Sequence, residues 1–395
     1  MKHALGIAAV VLVSFVFAGG CASHPSGTTP STGGVRSVSF AIANDLLVMP
    51  ITTNRAELSG IVDTGSPVSL FPARAVNPQE SRSLGHGSIN FVLNDTADVP
   101  VEFLILESVE WAGYSFPDVV VGIVEDSVWD SLLPSEYVVI GTNLLVRGCP
   151  TFRFETQEVT LNRSDVGADP LIDRSFDLSA LAFDGVALVD GHPVNVEFDT
   201  GSRYSVIATR RLTTEEGYEV GTLHFVGSET IAENPIVELD RLEVGGFWAE
   251  DVLISVSFDT GFKSVIGMDV LSHATLSVCW DSSQKRASLE LQRNVLPLRL
   301  ASTAEPTFGF TIGQNFDGRL FIVSAIDPSS AYESGVRPGS IVVGVRPSDE
   351  LEFSTDASAM IQVLASSSTV QMKLLNPDSG SVYEATLTKR RTSLR

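Results

Sequence analysis

Apolar residues along this chain recur in short runs or in alternation with polar ones, broken every few positions by Gly, Pro, Asn or Asp. Period-two alternation of that kind is the pattern of a half-buried strand, so the chain reads as mainly all-β. Two stretches depart from it. TNLLVRG after Gly141 and MDVLSHA after Gly267 each have room for one short helix. Residues 163–180 contain Asp and Pro and read as a linker between two blocks of strands. At the start, Lys2 precedes an apolar run from Ala8 to Phe17 that ends in Ala18-Gly19-Gly20-Cys21. A positive start, a short apolar stretch and small residues describe a secretory signal. The run is too short to span a bilayer comfortably. His24 to Gly34, rich in Ser, Thr, Gly and Pro, reads as a flexible tether.

The blocks of strands repeat. Ser59-Gly60-Ile61-Val62-Asp63-Thr64-Gly65-Ser66 matches Asn195-Val196-Glu197-Phe198-Asp199-Thr200-Gly201-Ser202, an offset of 199 − 63 = 136. A turn signal lies nine residues before each Asp, Asn54 in one copy and Asp190-Gly191 in the other, so each copy begins as a hairpin. Downstream, Val109-Glu110 to Tyr114 and Asp118 resemble Leu242-Glu243 to Phe247 and Asp251. Val139-Ile140-Gly141-Thr142-Asn143-Leu144-Leu145 then resembles Val265-Ile266-Gly267-Met268-Asp269-Val270-Leu271. A further strand candidate closes each half, Thr151 to Leu161 and Thr275 to Leu291. Four blocks matching in the same order indicate an internal duplication.

Length and charge narrow the function classes. At about 150 residues per domain, 395 residues suggest two or three domains. Lys plus Arg number 26 against 48 Asp plus Glu, a net charge of −22. That balance argues against a nucleic-acid partner and against electrostatic docking on anionic lipid. The three cysteines are too few for a disulfide scaffold; Cys149 and Cys279 read as free buried thiols, with pairing across the structure left open. The six histidines form no metal-ligand motif, so neither a metal nor a cofactor is expected.

The duplicated Asp carries the candidate chemistry. Asp-Thr-Gly is also a good turn, and Asp259-Thr260-Gly261 is a third copy. Because Asp251 aligns with Asp118, Asp259 falls at the position of Asp126 and is read as a loop. Asp63 and Asp199 are equivalent by repeat, and two equivalent carboxyls can meet on a pseudo-two-fold axis. Carboxyls in contact cannot both ionise easily and share a proton. Gly65 and Gly201 let the backbone fold closely, Thr64 and Thr200 can hydrogen-bond across to the other half, and Ser66 and Ser202 can hold an outer carboxylate oxygen.

An apolar pair followed by Asp-Thr-Gly-Ser, with Val-Ile-Gly-x-Asn/Asp-x-Leu later, resembles the retropepsin and pepsin-like aspartic proteases. The resemblance covers about residues 38 to 292. It implies two tandem retropepsin-like lobes forming a bilobal acid-protease fold, with Asp63 and Asp199 as the catalytic pair inside one chain. It implies an endopeptidase acting on an extended polypeptide. It also implies a glycine-rich hairpin flap over the substrate, with Leu84-Gly85-His86-Gly87-Ser88 and Val220-Gly221-Thr222-Leu223 as candidates. The residues before Cys21 resemble a bacterial lipobox, with Ala18 where Leu is more usual. This implies cleavage before Cys21, lipidation of its thiol and, with Ala22 following, an outer-membrane anchor facing the periplasm. Ordinary signal cleavage is the alternative.

Phe308-Gly309-Phe310, then Asp327-Pro328-Ser329-Ser330-Ala331, then Ser334-Gly335-Val336-Arg337-Pro338-Gly339 resemble a bacterial-type PDZ domain. Ser340 stands where Asp is usual. The resemblance implies a β-barrel-like domain with short helices that takes a peptide C-terminus at the Phe308-Gly309-Phe310 loop. The expected organisation is a signal at 1–20, a tether at 21–37, lobes at 38–163 and 164–294, and linker plus PDZ domain at 295–391. The expected protein is a monomer that meets peptide substrate, no nucleic acid, and membrane only through its lipid. The rival readings are a non-catalytic peptide-binding lipoprotein and lobes that pair between chains.

Overall fold

A computed structural model describes residues 14–16, 37–43, 46–89, 99–162, 169–172, 178–202, 205–208, 219–224, 233–257, 263–293, 308–314, 319–326 and 329–390, with gaps at 44–45, 134, 246, 282, 338 and 377–378. It is mostly strand. Three short strands come first, β1 (Ser14–Val16), β2 (Ser37–Ser39) and β3 (Ala41–Ala43). A first barrel follows, of β4 (Leu46–Thr52), β5 (Glu57–Val62), β6 (Ser69–Pro72), β7 (Ser81–Ile89), β8 (Val99–Trp111), β9 (Tyr114–Val124) and β10 (Tyr137–Ile140). Helix α1 (Asp126–Leu132) precedes β10 and α2 (Thr142–Gly148) follows it, and the hairpin β11 (Pro150–Arg153) and β12 (Glu158–Leu161) leads out.

The second barrel repeats the plan with β13 (Asp184–Val189), β14 (His192–Phe198), β15 (Val206–Ala208), β16 (Glu219–His224), β17 (Glu233–Val244), β18 (Phe247–Ser257) and β19 (Ser264–Ile266). Helix α3 (Met268–Leu271) and the hairpin β20 (Ala274–Asp281) to β21 (Arg286–Arg293) complete it. The pairings repeat as well as the order. β10 runs parallel to β5 and antiparallel to β6; β19 does the same with β14 and β15. β6 lies parallel to β9, as β15 does to β18. Closure comes from β4 against β8 and from β13 against β17. The predicted hairpin entries are present; Asp190 and Gly191 take φ of 48° and 78°, the left-handed pair that a two-residue hairpin loop demands. The helices expected after Gly141 and Gly267 are α2 and α3.

Hairpins from the two halves merge into one sheet of order β2-β12-β11-β20-β21. Its inward residues Phe152, Val159, Leu276 and Val278 are fully buried, and a single hydrophobic core runs through both barrels. Cys149 and Cys279 form a disulfide here, with Cα atoms 4.3 Å apart, which corrects the free-thiol reading. The cause is register. Thr151 sits opposite Ser277, so the antiparallel ladder carries Cys149 to the place opposite Cys279.

The C-terminal module holds β22 (Phe310–Gln314), β23 (Leu320–Ile326), α4 (Ser330–Glu333), β24 (Ile341–Pro347), α5 (Ala357–Ser366), β25 (Thr369–Leu375) and β26 (Val382–Thr388) around its own core. Its sheet continues that of the second barrel, because β23 pairs antiparallel with β16.

Candidate active site

Each duplicated Asp is placed by the strand before it. β5 and β14 are held by the parallel strands β10 and β19, and the next amide, Asp63 N–H or Asp199 N–H, donates to Ile140 O or Ile266 O at 3.0 Å. The chain then turns back at each site. Gly65 N–H and Ser66 N–H donate to Asp63 Oδ1 at 2.9 and 3.0 Å, and Gly201 N–H donates to Asp199 Oδ1 at 2.8 Å. The Ser66 hydroxyl donates to Val68 O at 2.8 Å, so the serine serves Asp63 through its amide and not through the hydroxyl expected from the sequence.

The two turns are locked together by their threonines. Thr64 N–H donates to Thr200 Oγ1 at 3.1 Å, and Thr200 N–H donates to Thr64 Oγ1 at 2.9 Å. Each hydroxyl then donates onward across the interface, Thr64 Oγ1 to Phe198 O at 2.8 Å and Thr200 Oγ1 to Val62 O at 2.7 Å. Both threonines are buried, so every one of these polar groups needs its partner. The effect is to bring Asp63 and Asp199 into hydrogen-bond contact through their side chains.

Burial lifts the Asp63 carboxyl well above the ordinary carboxylate range, and the charge and hydrogen bond of Asp199 add to the effect. Burial raises Asp199 as well, but the Asp63 hydrogen bond and the amides of Gly201, Ser202 and Gly65 pull it back. The pair therefore titrates as a unit.

Behind the turns lies a polar layer that the motif only hinted at. Ser69 N–H and its hydroxyl donate to Asn143 Oδ1, and Gly141 N–H donates to Ser69 Oγ. In the second half Ser205 does the same to Asp269, at 3.0 Å from its amide and 2.6 Å from its hydroxyl, and Gly267 N–H donates to Ser205 Oγ. Burial pushes Asp269 up to about 6. The amide nitrogen of Asn143 donates to Asp169, a linker residue that sequence reasoning passed over. Asp169 is 2 % exposed, accepts also from Val120 N–H and Leu171 N–H, and is pushed up to about 6 by burial. Its one signal in the sequence was an Asp followed by Pro.

The other candidates fall elsewhere. Gly85, His86 and Gly87 lie within strand β7, not at a turn, and Gly221 and Thr222 lie within β16. Both glycines sit at register shifts, Gly85 against β8 and Gly221 against β17, and 221 − 85 = 136 repeats the offset of the aspartates. The segments joining these arms, 90–98 and 225–232, lie outside the described residues, as do Cys21 and the third motif, Asp259-Thr260-Gly261. In the C-terminal module Phe308 is buried and Phe310 half-buried, and Gly309 takes φ of 79° where a β-carbon would meet the Ser329 side chain. Among the described residues no cluster of three His, Cys, Asp or Glu side chains has the geometry to hold a metal ion. No described helix is long and apolar enough to cross a membrane.

Closed β-barrels joined by a shared sheet, with an Asp-Thr-Gly turn from each meeting at the join, are consistent with an all-β protease fold. Residues 186–270 match the family model for aspartyl protease. The matched span contains Asp199 and the Val265-Ile266-Gly267 motif of the second barrel, so that part of the chain is similar to the aspartyl proteases. No curated protein matches the chain.

Proposed function

We propose that this chain is an aspartic endopeptidase whose two carboxyls, Asp63 and Asp199, come from the two halves of one polypeptide. The observation that carries the reading is the reciprocal hydrogen bonding of Thr64 and Thr200, which brings the two carboxyls together. In the proposed reaction the ionised member of the pair takes a proton from a water molecule, and that water attacks the scissile carbonyl carbon. The protonated member gives its proton to the carbonyl oxygen. The resulting tetrahedral diol collapses as the amine departs with a proton returned from the pair. The substrate is an extended polypeptide, and the hairpin arms β7–β8 and β16–β17 are the proposed flaps.

We read the C-terminal module as a PDZ domain that takes a peptide by strand addition along β22, which among the described strands pairs with β23 alone. The mature protein begins at Cys21, lipid-anchored and facing the periplasm. The Cys149–Cys279 disulfide supports export, because such bonds persist in oxidising compartments.

A chain starting at Ala22 is expected to cleave unfolded protein, and a pepstatin-like diol mimic is expected to slow it. Asp63→Ala and Asp199→Ala should each abolish cleavage with unchanged circular dichroism, while Asp259→Ala retains it. Cleavage surviving either of the first two changes would refute the shared pair. Cys21→Ser should move the protein from the membrane fraction to the soluble one; a variant that stays with the membrane would refute the anchor.

A further inference from the structure

The two halves share strand pairings, but one trio of positions differs in kind. In the first barrel Val48 of β4 lies opposite Ile61 of β5, and both are buried. Tyr137, at the head of β10, packs half-buried on the same core. The repeat places Asp184 at the position of Val48 and Glu197 at that of Ile61, and the Val-Ile-Gly alignment places Lys263 at that of Tyr137. Asp184 indeed pairs with Glu197 in register. An apolar trio in one half is thus a charged trio in the other. Lys263 Nζ lies 2.8 Å from Asp184 Oδ1 and 3.1 Å from Glu197 Oε2.

Glu197 is 6 % exposed, a costly place for a carboxylate, and its strand runs straight into Asp199 two residues on. Side chains two apart on a strand share a face. The charged groups that bear on Glu197 are Lys263 just before β19, Asp184 from β13, and Asp199 itself. Lys263 is engaged by Asp184 and Glu197, and the charge of Asp199 bears on Glu197 as well. With Glu197 ionised the trio carries one net negative charge, and its buried member is the one two residues from Asp199.

We propose that Glu197, held by Lys263 and Asp184, is a positioning residue whose negative charge keeps the Asp63–Asp199 pair from losing its last shared proton. This rests on the reading of that pair as the catalytic one. The physical argument is Coulombic. A carboxylate near the pair opposes a second negative charge on it, so the singly protonated working form persists to higher pH. Burial pushes Glu197 itself up to about 7, so its charge is present above that pH and fades in acid. Loss of the first proton of the pair, at lower pH, is untouched. In the first half Ile61 gives Asp63 no such neighbour.

The test is a titration that needs no turnover. The carboxyl carbons of the full chain, carbon-13 labelled at aspartate, are followed by NMR against pH. Asp63→Asn and Asp199→Asn supply the assignments. Glu197→Gln is expected to lower the upper ionisation of the pair by about half a pH unit or more, leaving the lower one in place. The triple variant Asp184→Val, Glu197→Ile, Lys263→Tyr carries the trio that already packs in the first barrel, and it should give the same displacement. The alkaline limb of the pH–activity profile should move with it. An upper ionisation that stays within about 0.2 unit in the folded variants overturns the proposal, even if they melt at a lower temperature. A chain whose titration moves as expected but which cleaves nothing refutes the endopeptidase reading and upholds the electrostatic one.

Discussion

Gly65 stands so close to Asp199 that a β-carbon at Gly65 would lie 2.6 Å from the Asp199 carboxyl carbon. Gly201 repeats the relationship against Asp63, at 2.4 Å. Each glycine thus leaves room for the carboxyl of the opposite half, and the reason lies in the pairing of the halves more than in the turn itself. Gly65→Ala and Gly201→Ala are expected to push the two carboxyls apart and to lower kcat/KM by about 10²-fold or more, since a misplacement of about 1 Å has effects of that size. Steady-state kinetics on a fluorogenic peptide checks this; a loss below tenfold would contradict it.

The threonine lock makes a stability prediction. Thr64→Val removes the acceptor for Thr200 N–H and leaves Phe198 O without its donor, both buried. Each unsatisfied group costs about 1–3 kcal/mol. Thr64→Val and Thr200→Val should each lower the unfolding free energy by several kcal/mol. The two changes remove different bonds, two each, so the double variant should lose close to the sum of the two, and any departure reports coupling through the joint itself. Chemical denaturation of the three variants measures the coupling.

Protons set a third expectation. Asp169 and Asp269 are pushed up to about 6 and Glu197 to about 7, all by burial first. Their folded values exceed the unfolded ones of about 4, so the native state keeps protons that the unfolded chain has released. These groups favour the fold fully below about pH 4, and that contribution is lost as pH rises through 6 to 7. The melting temperature should fall between pH 4.5 and 7.5. Asp269→Asn places the residue of the first half, Asn143, in the second, and should flatten that slope. Scanning calorimetry across the range is the check, and an unchanged slope in the variant would refute the assignment.

The disulfide makes a fourth. It closes 130 residues between the halves, and a loop that long implies about 4–5 kcal/mol of stabilisation in the chain-entropy model. Reduction, or Cys149→Ser with Cys279→Ser, should lower the melting temperature and loosen the shared sheet before the barrels themselves open. Hydrogen exchange at Phe152 and Leu276 should rise under reductant while that at Val62 changes less.

Much of this molecule was legible in its residues. The repeat around Asp63 and Asp199 gave the two barrels, because a duplicated pattern of strands has to satisfy the same pairings twice. It also gave Gly85 and Gly221, though as strand bulges. What escaped reading was set by the assembly of the halves. Cys149 finds Cys279 only once β11 lies beside β20, and no spacing along the chain encodes that register. Asp169 resembles any linker acid until it folds back under Asn143. The Ser66 hydroxyl turns to Val68 because its amide already serves Asp63, a choice between two good partners that residue type leaves open.

The sheet of β2, β12, β11, β20 and β21, with its covalent staple, makes assembly of the two halves independent of protein concentration. A symmetric pair of identical subunits falls apart on dilution and receives every mutation twice, once on each side of its cleft. Here a change enters one side alone. The charged trio opposite an apolar one is a difference that such single-sided inheritance permits and a homodimer has no means to keep.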